Sequence, residues 1–373
     1  MRLLLLLAAL LLLAALPAAA ETVTVTDLAG RTVAITRPVE RILLGEGRYL
    51  TALAILDRDD PTHRLAGMLG EYERLDPAGY GQYLARFPRL AEVPRIGHAS
   101  GHTVSVEKAV STGAQVAFLG LGGHGPSLRT PEIVAQLEAA DIAVVFVDFR
   151  RDPLAGTPLS IELMGRVLGR EAEAAGFAAY YREQLAAVDV GLAGLGGDRP
   201  TVFLESRVGL SEQCCETMVR DMLGALLTRA GGANMADPLV PGTVGTVGLE
   251  YLLTHPPDVY IGTAIGNAGT GADSARIRLG AGVTPAMARA SLQRAAARTG
   301  IAELPAIRQG RAYAVWHHFY NSPLQVAALQ AMAKWLHPAR FPGLDAEATL
   351  RTLHERFLPI AYDGTYWIAM APE

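Results

Sequence analysis

Two groups of side chains that could bind a metal or a metal complex lie far apart in the sequence. His98 and His102 flank a short Ala-Ser-Gly segment, and His317 stands three residues before Tyr320. Neutral imidazole suits haem iron, nickel, copper and zinc, whereas bare ferric iron prefers oxygen donors such as phenolate. We therefore predict that all four side chains contact a ligand, with His102 and His98 as candidate metal ligands.

Three arginines in the second half of the chain could bind an anion. Arg207 follows the apolar run at 201–204, and Arg276 and Arg278 lie in a Gly-rich stretch after Ile261. The forked guanidinium group suits carboxylates and catecholate-type anions. We predict that Arg207 and Arg276 contact the ligand, and we interpret Arg278 as a solvated loop charge.

A Gly-rich segment offers an alternative chemistry. Gly120, Gly122 and Gly125 have the GxGxxG spacing after an apolar run, and Asp148 ends the next run. In a dinucleotide site the helix begins at the glycines, so that its dipole meets the pyrophosphate. Here Thr130–Pro131 predicts a later helix start. An exported dinucleotide-dependent oxidoreductase is therefore the less favoured alternative: a helix from Gly122 would support it, and a loop through Thr130 would exclude it.

A ten-residue pattern occurs twice. Residues 107–116 align without a gap with residues 250–259, which places Glu107 and Glu250 at equivalent positions. Each copy predicts a short helix with a Glu in its first turn, followed by a buried strand. Because the helix dipole stabilises an acid there by up to about 1 kcal/mol, neither Glu alone requires a functional explanation. Only their symmetric placement suggests a role.

The elements that must position these residues predict an α/β protein. Apolar runs such as 42–44, 116–119 and 144–147 are typical of buried strands, and they alternate with helical patterns such as 132–140. Such alternation favours mostly parallel sheets covered on both faces. Before them, residues 22–36 alternate apolar and polar side chains around a turn, which predicts a hairpin.

Apolar residues recur at steps of three and four between Ile161 and Leu192, which predicts one long helix. We therefore predict two Rossmann-like lobes with mostly parallel sheets, joined by one long backbone helix. The N-terminal lobe would span residues 21–157, the connecting helix 158–195 and the C-terminal lobe 196–373.

The first 20 residues predict a signal peptide, because Arg2 precedes a Leu/Ala run that ends in small residues. The periplasm is the expected compartment. The 373 residues carry a net charge of −4, which implies no basic surface large enough for nucleic acid. The two cysteines, Cys214 and Cys215, are adjacent. Their pattern leaves a vicinal disulfide and two buried thiols equally open.

Several segments, taken in their order and spacing, resemble one family. They are Thr26–Val33, Val39–Ile42, Gly248–Val259, Leu304–Tyr313 and Ala333–Pro338. Together they resemble the ABC-importer substrate-binding proteins for iron–siderophore, haem and cobalamin, the class with a single helical backbone between lobes. Trp316–Pro323 is similar to a branch of that family that binds metal chelates.

The resemblance implies that a ligand binds between the lobes and that no bond is made or broken, so the chain is not expected to be an enzyme. It also implies that Glu107 and Glu250 dock onto the inner-membrane permease dimer. We expect a monomer without an intrinsic cofactor, whose ligand is a ferric siderophore or another transition-metal complex. Haem, cobalamin and a nickel–histidine complex remain alternatives.

Overall fold

The computed structural model describes residues 21–197, 199–211 and 214–370. The predicted signal peptide at 1–20 lies outside this part. The described chain opens with the predicted hairpin, in which β1 (Glu21–Thr26) pairs antiparallel with β2 (Thr32–Arg37). Its turn docks on the first lobe, because the Leu28 N–H donates to the Phe146 carbonyl at 3.0 Å.

The first lobe is built on a parallel five-stranded sheet of order β5-β4-β3-β6-β7. Its strands are β3 (Ile42–Leu44), β4 (Leu65–Leu69), β5 (Arg95–Gly97), β6 (Val116–Gly120) and β7 (Ala143–Val147). Its helices are α1 (Leu50–Leu56), α2 (Glu71–Leu75), α3 (Pro77–Arg86), α4 (Val106–Ser111) and α5 (Pro131–Ala139). The central strands are buried on both faces, as their continuous apolar runs predict.

The second lobe contains a mixed sheet of order β11-β9-β8-β12-β13-β14, with β10 paired to β8. The parallel strands are β8 (Thr201–Glu205), β10 (Ala233–Asn234), β12 (Val259–Ala264) and β13 (Ala312–Trp316). The antiparallel strands are β9 (Glu216–Met218), β11 (Val244–Thr246) and β14 (Trp367–Ala369). The predicted α/β class with mostly parallel sheets is confirmed.

Two helices, and not one, occupy the segment predicted as a single long helix. They are α6 (Pro153–Leu168) and α7 (Glu171–Gly191), separated by Gly169 in the left-handed conformation at φ 68°. They fold back on each other, since Arg182 of α7 reaches Glu162 of α6 at 2.6 and 2.7 Å. A left-handed glycine ends a helix by turning the chain out of the helical path. The predicted bounds 158–195 were therefore wrong, and the long helix between the lobes is α7 alone.

Helix α7 lies against elements of both lobes. The remaining helices are α8 (Met222–Arg229), α9 (Leu249–Thr254), α10 (Pro285–Ala296), α11 (Pro305–Arg308), α12 (Gln325–Leu336) and α13 (Ala346–Phe357). Phe177 of α7 belongs to one continuous apolar core with Leu53 of α1 and Leu329 of α12. This shared core ties the lobes together along α7. The lobe boundaries at 157 and 196 remain predictions.

No helix in the described ranges is long and apolar enough to cross a bilayer.

Candidate ligand-binding site

The wall of the site on the first lobe begins where β3 ends. Glu46 is 1% exposed, and its carboxylate accepts a hydrogen bond from Arg48 at 2.9 Å and another from the His124 backbone N–H at 2.9 Å. The Glu71 carboxylate accepts the backbone N–H groups of Gly47 and Arg48 at 2.9 and 3.1 Å. These bonds hold the loop after β3 in one conformation, with the Arg48 side chain inside the structure.

The opposite wall is the 3₁₀ turn at 317–321, which follows β13 of the second lobe. Asn321 donates to the Glu46 carboxylate at 2.7 Å, and the Tyr320 hydroxyl lies 3.1 Å from His124 Nε2. Both contacts join one lobe to the other. The carboxyl ends of strands in open α/β sheets are where ligands bind, and here two such ends face each other.

Two guanidinium groups lie over the ring of Tyr320. The Arg48 and Arg150 guanidinium carbons each lie 4.9 Å from the ring centroid. The Nη1 atom of each arginine is buried and has no hydrogen-bond partner among the described residues. Since an unsatisfied buried charged donor is strongly unfavourable, the cluster can accept an anion that supplies the missing acceptors.

The imidazoles of the site are held neutral. Burial lowers the pKa of His124 to about 4, with Arg48 and Arg150 adding to the effect against the opposing pull of Glu46. Burial likewise lowers the pKa of His318 to about 3, and the Nδ1 atom of His318 has no partner in the described part of the chain. Neutral imidazole nitrogens can accept a hydrogen bond or coordinate a metal.

The buried environment shifts the pKa values of the Glu46 and Glu71 carboxyl groups in opposite directions. Burial would raise the pKa of Glu46, but Arg48 and Arg150 outweigh it and hold the pKa below its ordinary value. Burial raises the pKa of Glu71 to about 7, because only Arg48 and two backbone N–H groups oppose it and Glu46 adds to the rise. Glu46 therefore remains ionised next to the two arginines.

Three of the residues predicted to bind a ligand meet at this wall. His317 and Tyr320 lie in the 3₁₀ turn, and the Nδ1 of His317 lies 2.9 Å from the Thr263 hydroxyl oxygen. The same oxygen accepts the backbone N–H of Arg207 at 2.7 Å. The Arg207 side chain is 40% exposed, and its guanidinium pairs with Glu216. Arg207 therefore stands at the rim of the cluster, and the binding role of all three remains a prediction.

The other predicted residues lie outside the buried cluster. His98 and His102 are exposed, and their loop contacts the site through the Ala99 carbonyl, 3.3 Å from His124 Nδ1. Arg276 is exposed in a loop that packs on the Arg207 turn. No group of three or more metal-binding side chains occurs in the described ranges. The structure therefore does not bring the two histidines to Tyr320, and their role as metal ligands stays a prediction.

Sequence reasoning missed several members of the cluster. They are Glu46, Arg48, His124, Arg150 and Asn321. A usable signal existed, because Arg48, His124 and Arg150 each follow a predicted strand of the first lobe, at the edge where ligands bind.

The glycine motif has a packing explanation. A Cβ at Gly125 would lie 1.8 Å from the Gly45 carbonyl oxygen, so only glycine lets this loop approach β3. The helix after it, α5, begins at Pro131, and the Asp148 carboxylate accepts the backbone N–H groups of residues 150–152 at 2.8 to 3.0 Å. Residues 121–130 form a loop and no helix begins at Gly122 in the described part of the chain, which is the condition that excludes the dinucleotide hypothesis.

The cysteines form a disulfide between adjacent residues, Cys214 and Cys215, and no free cysteine occurs in the described part of the chain. Cys215 is buried, and its carbonyl accepts the Val247 N–H at 3.1 Å. Of the two states that the sequence left open, the structure therefore has the vicinal disulfide and not the two buried thiols.

No protein-family model and no curated protein matches the chain. Solved structures do. The TroA-like periplasmic binding protein FepB from Veillonella parvula is 25% identical, with a TM-score of 0.83 over 94% of this chain and 100% of that one. The molybdate periplasmic binding protein MolA of Haemophilus influenzae is 18% identical, with a TM-score of 0.68 over 92% and 99%. A periplasmic haem-binding protein from Pseudomonas aeruginosa is 18% identical, with a TM-score of 0.55 over 82% and 94%. The family resemblance predicted from the sequence is therefore confirmed, and the chain has the TroA-like periplasmic binding-protein fold.

Proposed function

We propose that this chain is the periplasmic substrate-binding component of an ABC importer. It captures an anionic metal chelate, such as a ferric siderophore, between its lobes and delivers it to the inner-membrane permease. The chemistry is binding alone, without a reaction. Its compartment and its lack of catalysis are part of the proposal, and the matched periplasmic binding proteins support both.

One observation carries the choice of an anionic ligand. Arg48 and Arg150 point at the same Tyr320 ring, and each keeps a buried Nη1 without an acceptor in the described residues. Carboxylate or catecholate oxygens of a chelate would satisfy these donors, because the guanidinium fork binds such groups with charge-assisted hydrogen bonds. The cationic pair would also compensate the charge of the chelate.

The contacts between the lobes indicate how the ligand enters. Glu46 with Asn321, and His124 with Tyr320, are bonded directly across the site. A ligand at this place must replace those two bonds with its own donors and acceptors. Because both lobes share one apolar core along α7, we expect a small opening and not a wide hinge motion.

Glu107 and Glu250 are the proposed docking residues for the permease dimer. Both are exposed in the first turn of short helices, α4 and α9. His98 and His102 lie in the loop before α4, and we propose them as secondary contacts to the metal chelate.

A nickel–histidine complex or haem is the second candidate. The neutral His318, with its buried Nδ1 unpartnered among the described residues, favours a metal that prefers nitrogen. Cobalamin would need the same cleft, but no side chain of the cluster favours it over the others.

A tryptophan-fluorescence titration tests the proposal. Trp316 lies 5.2 Å from the His318 ring, centroid to centroid, so a ligand in the site should change its emission. The panel contains catecholate and hydroxamate ferric siderophores, haem, cobalamin, nickel with histidine, and molybdate. Saturable quenching by a chelate that is weakened in Arg150→Met, and not in Arg151→Met at the exposed neighbouring position, supports the proposal. Silence from every compound would contradict it.

A further inference from the structure

The two helices that carry the proposed docking residues share more than their glutamates. Val110 lies three residues after Glu107, and Leu253 lies three residues after Glu250. Val110 is 39% exposed and Leu253 is 43% exposed. Large apolar side chains this exposed are individually common on protein surfaces. Their occurrence at the same position of both repeat copies is the observation that matters.

The burial pattern shows that the two helices present the same face to solvent. Ala109 of α4 and Leu252 of α9 occupy equivalent positions of the repeat, and both are fully buried. Both helices are therefore rotated alike on their lobes. On a helix, residues three apart are neighbours, with Cβ atoms about 5–6 Å apart. Each glutamate therefore has its aliphatic neighbour beside it on the exposed side.

The glutamates are also free to pair with a partner protein. Across residues 21–197, 199–211 and 214–370, neither Glu107 nor Glu250 has an ion-pair partner within 4.0 Å. An exposed carboxylate beside an exposed aliphatic group suits a basic side chain that stands next to an apolar pocket. Two such patches, one per lobe, suit a partner that offers the same site twice.

We propose that each lobe makes a two-point contact with the permease dimer, in which the glutamate binds a basic side chain and the aliphatic residue fills an apolar pocket next to it. The patches are Glu107 with Val110 on the first lobe and Glu250 with Leu253 on the second. This inference rests on the proposed function, because it takes the two-fold permease of the importer as the partner.

The apolar half of each patch can be tested separately from the charged half. Val110→Ser and Leu253→Ser keep the charge and remove apolar area that docking would bury. Each is expected to weaken binding to the permease dimer in lipid nanodiscs about threefold to eightfold, because docking can bury only the exposed 39% of Val110 and 43% of Leu253. The double variant should lose about 10- to 60-fold, because the two patches lie on different lobes and act independently.

Leu159→Ser is the matched control, since Leu159 is 47% exposed on α6 and outside both patches. It should bind the permease like the wild type. All variants should keep the thermal midpoint and the chelate affinity of the unsubstituted protein. Unchanged permease binding by Val110→Ser and Leu253→Ser, alongside lost binding by Glu107→Ala with Glu250→Ala, would overturn the inference and leave the proposed function intact. Absence of permease binding by the wild type would overturn both.

Discussion

Asp76 gives the sharpest quantitative prediction, because its carboxyl group is both a helix cap and deeply buried. It is 5% exposed, and it accepts the Gly79 backbone N–H at 3.1 Å as the N-cap of α3. Burial raises its pKa from 3.8 to about 6, although Gly79 and Arg48 act in the opposite direction. At neutral pH the folded protein therefore carries an ionised carboxylate that folding disfavours.

The magnitude follows from the two pKa values. The difference between about 6 and 3.8 corresponds to about 3 kcal/mol, at about 1.36 kcal/mol per pKa unit. Because the folded pKa is the higher one, the favourable contribution of the protonated group is fully present below pH 3.8. It is lost as the pH rises through about 6. Asp76→Asn stays neutral and keeps an oxygen for the cap, so the variant should be more stable at pH 7.5 by up to about 3 kcal/mol.

Urea unfolding followed by circular dichroism at pH 7.5 and pH 3.5 measures this difference. The gain in the free energy of unfolding should be present at pH 7.5 and absent at pH 3.5. Asp345→Asn is the control, since Asp345 caps α13 in the same way through Ala348 at 2.9 Å but is exposed. A variant that is less stable than the wild type at pH 7.5 would contradict this prediction, because the bonds to the ionised carboxylate would then outweigh its burial.

Three further predictions concern the helical hairpin, the ligand site and the disulfide. Gly176→Ala should raise the free energy of unfolding by about 1 kcal/mol, because open space surrounds this helix position. Gly165→Ala should lower the free energy of unfolding by about 1–3 kcal/mol, because its Cβ would lie 2.5 Å from the Ala174 Cβ. If the two variants changed the midpoint of thermal unfolding equally, the close packing of α6 on α7 would be contradicted. Arg150→Met should weaken chelate binding about tenfold or more in the fluorescence titration, through the loss of a charge-assisted hydrogen bond, and unchanged affinity would remove Arg150 from the site. The Cys214–Cys215 pair should take up iodoacetamide in denaturant only after reduction, as read by mass; labelling without reductant would contradict the disulfide.

The sequence predicted the α/β class well because the physics behind it is local. Strands buried on both faces must be short continuous apolar runs, and those at 116–119 and 144–147 form β6 and β7. The Thr130–Pro131 signal likewise placed the start of α5 at residue 131, since proline suits the first helical position. The same signal already argued against a dinucleotide site.

The helical hairpin shows where local pattern stops being sufficient. Apolar residues recur with the same period in one long helix and in two helices that fold back on each other. Gly169 was a usable stop signal, because glycine commonly follows the last residue of a helix. Gly165 then allows the helices to approach closely, with Ala174 against it. Only that packing decided that the chain turns back.

Some residues of the candidate site could likewise be predicted from the sequence, and others could not. Residue types and their positions after predicted strands were enough to indicate His317, Tyr320 and Arg207. The tertiary structure alone decided that Arg48 and Arg150 meet on the Tyr320 ring with buried donors left over. The physical reason is that unsatisfied polar groups arise from how distant segments are packed, whereas strand and helix patterns depend on residues close in sequence.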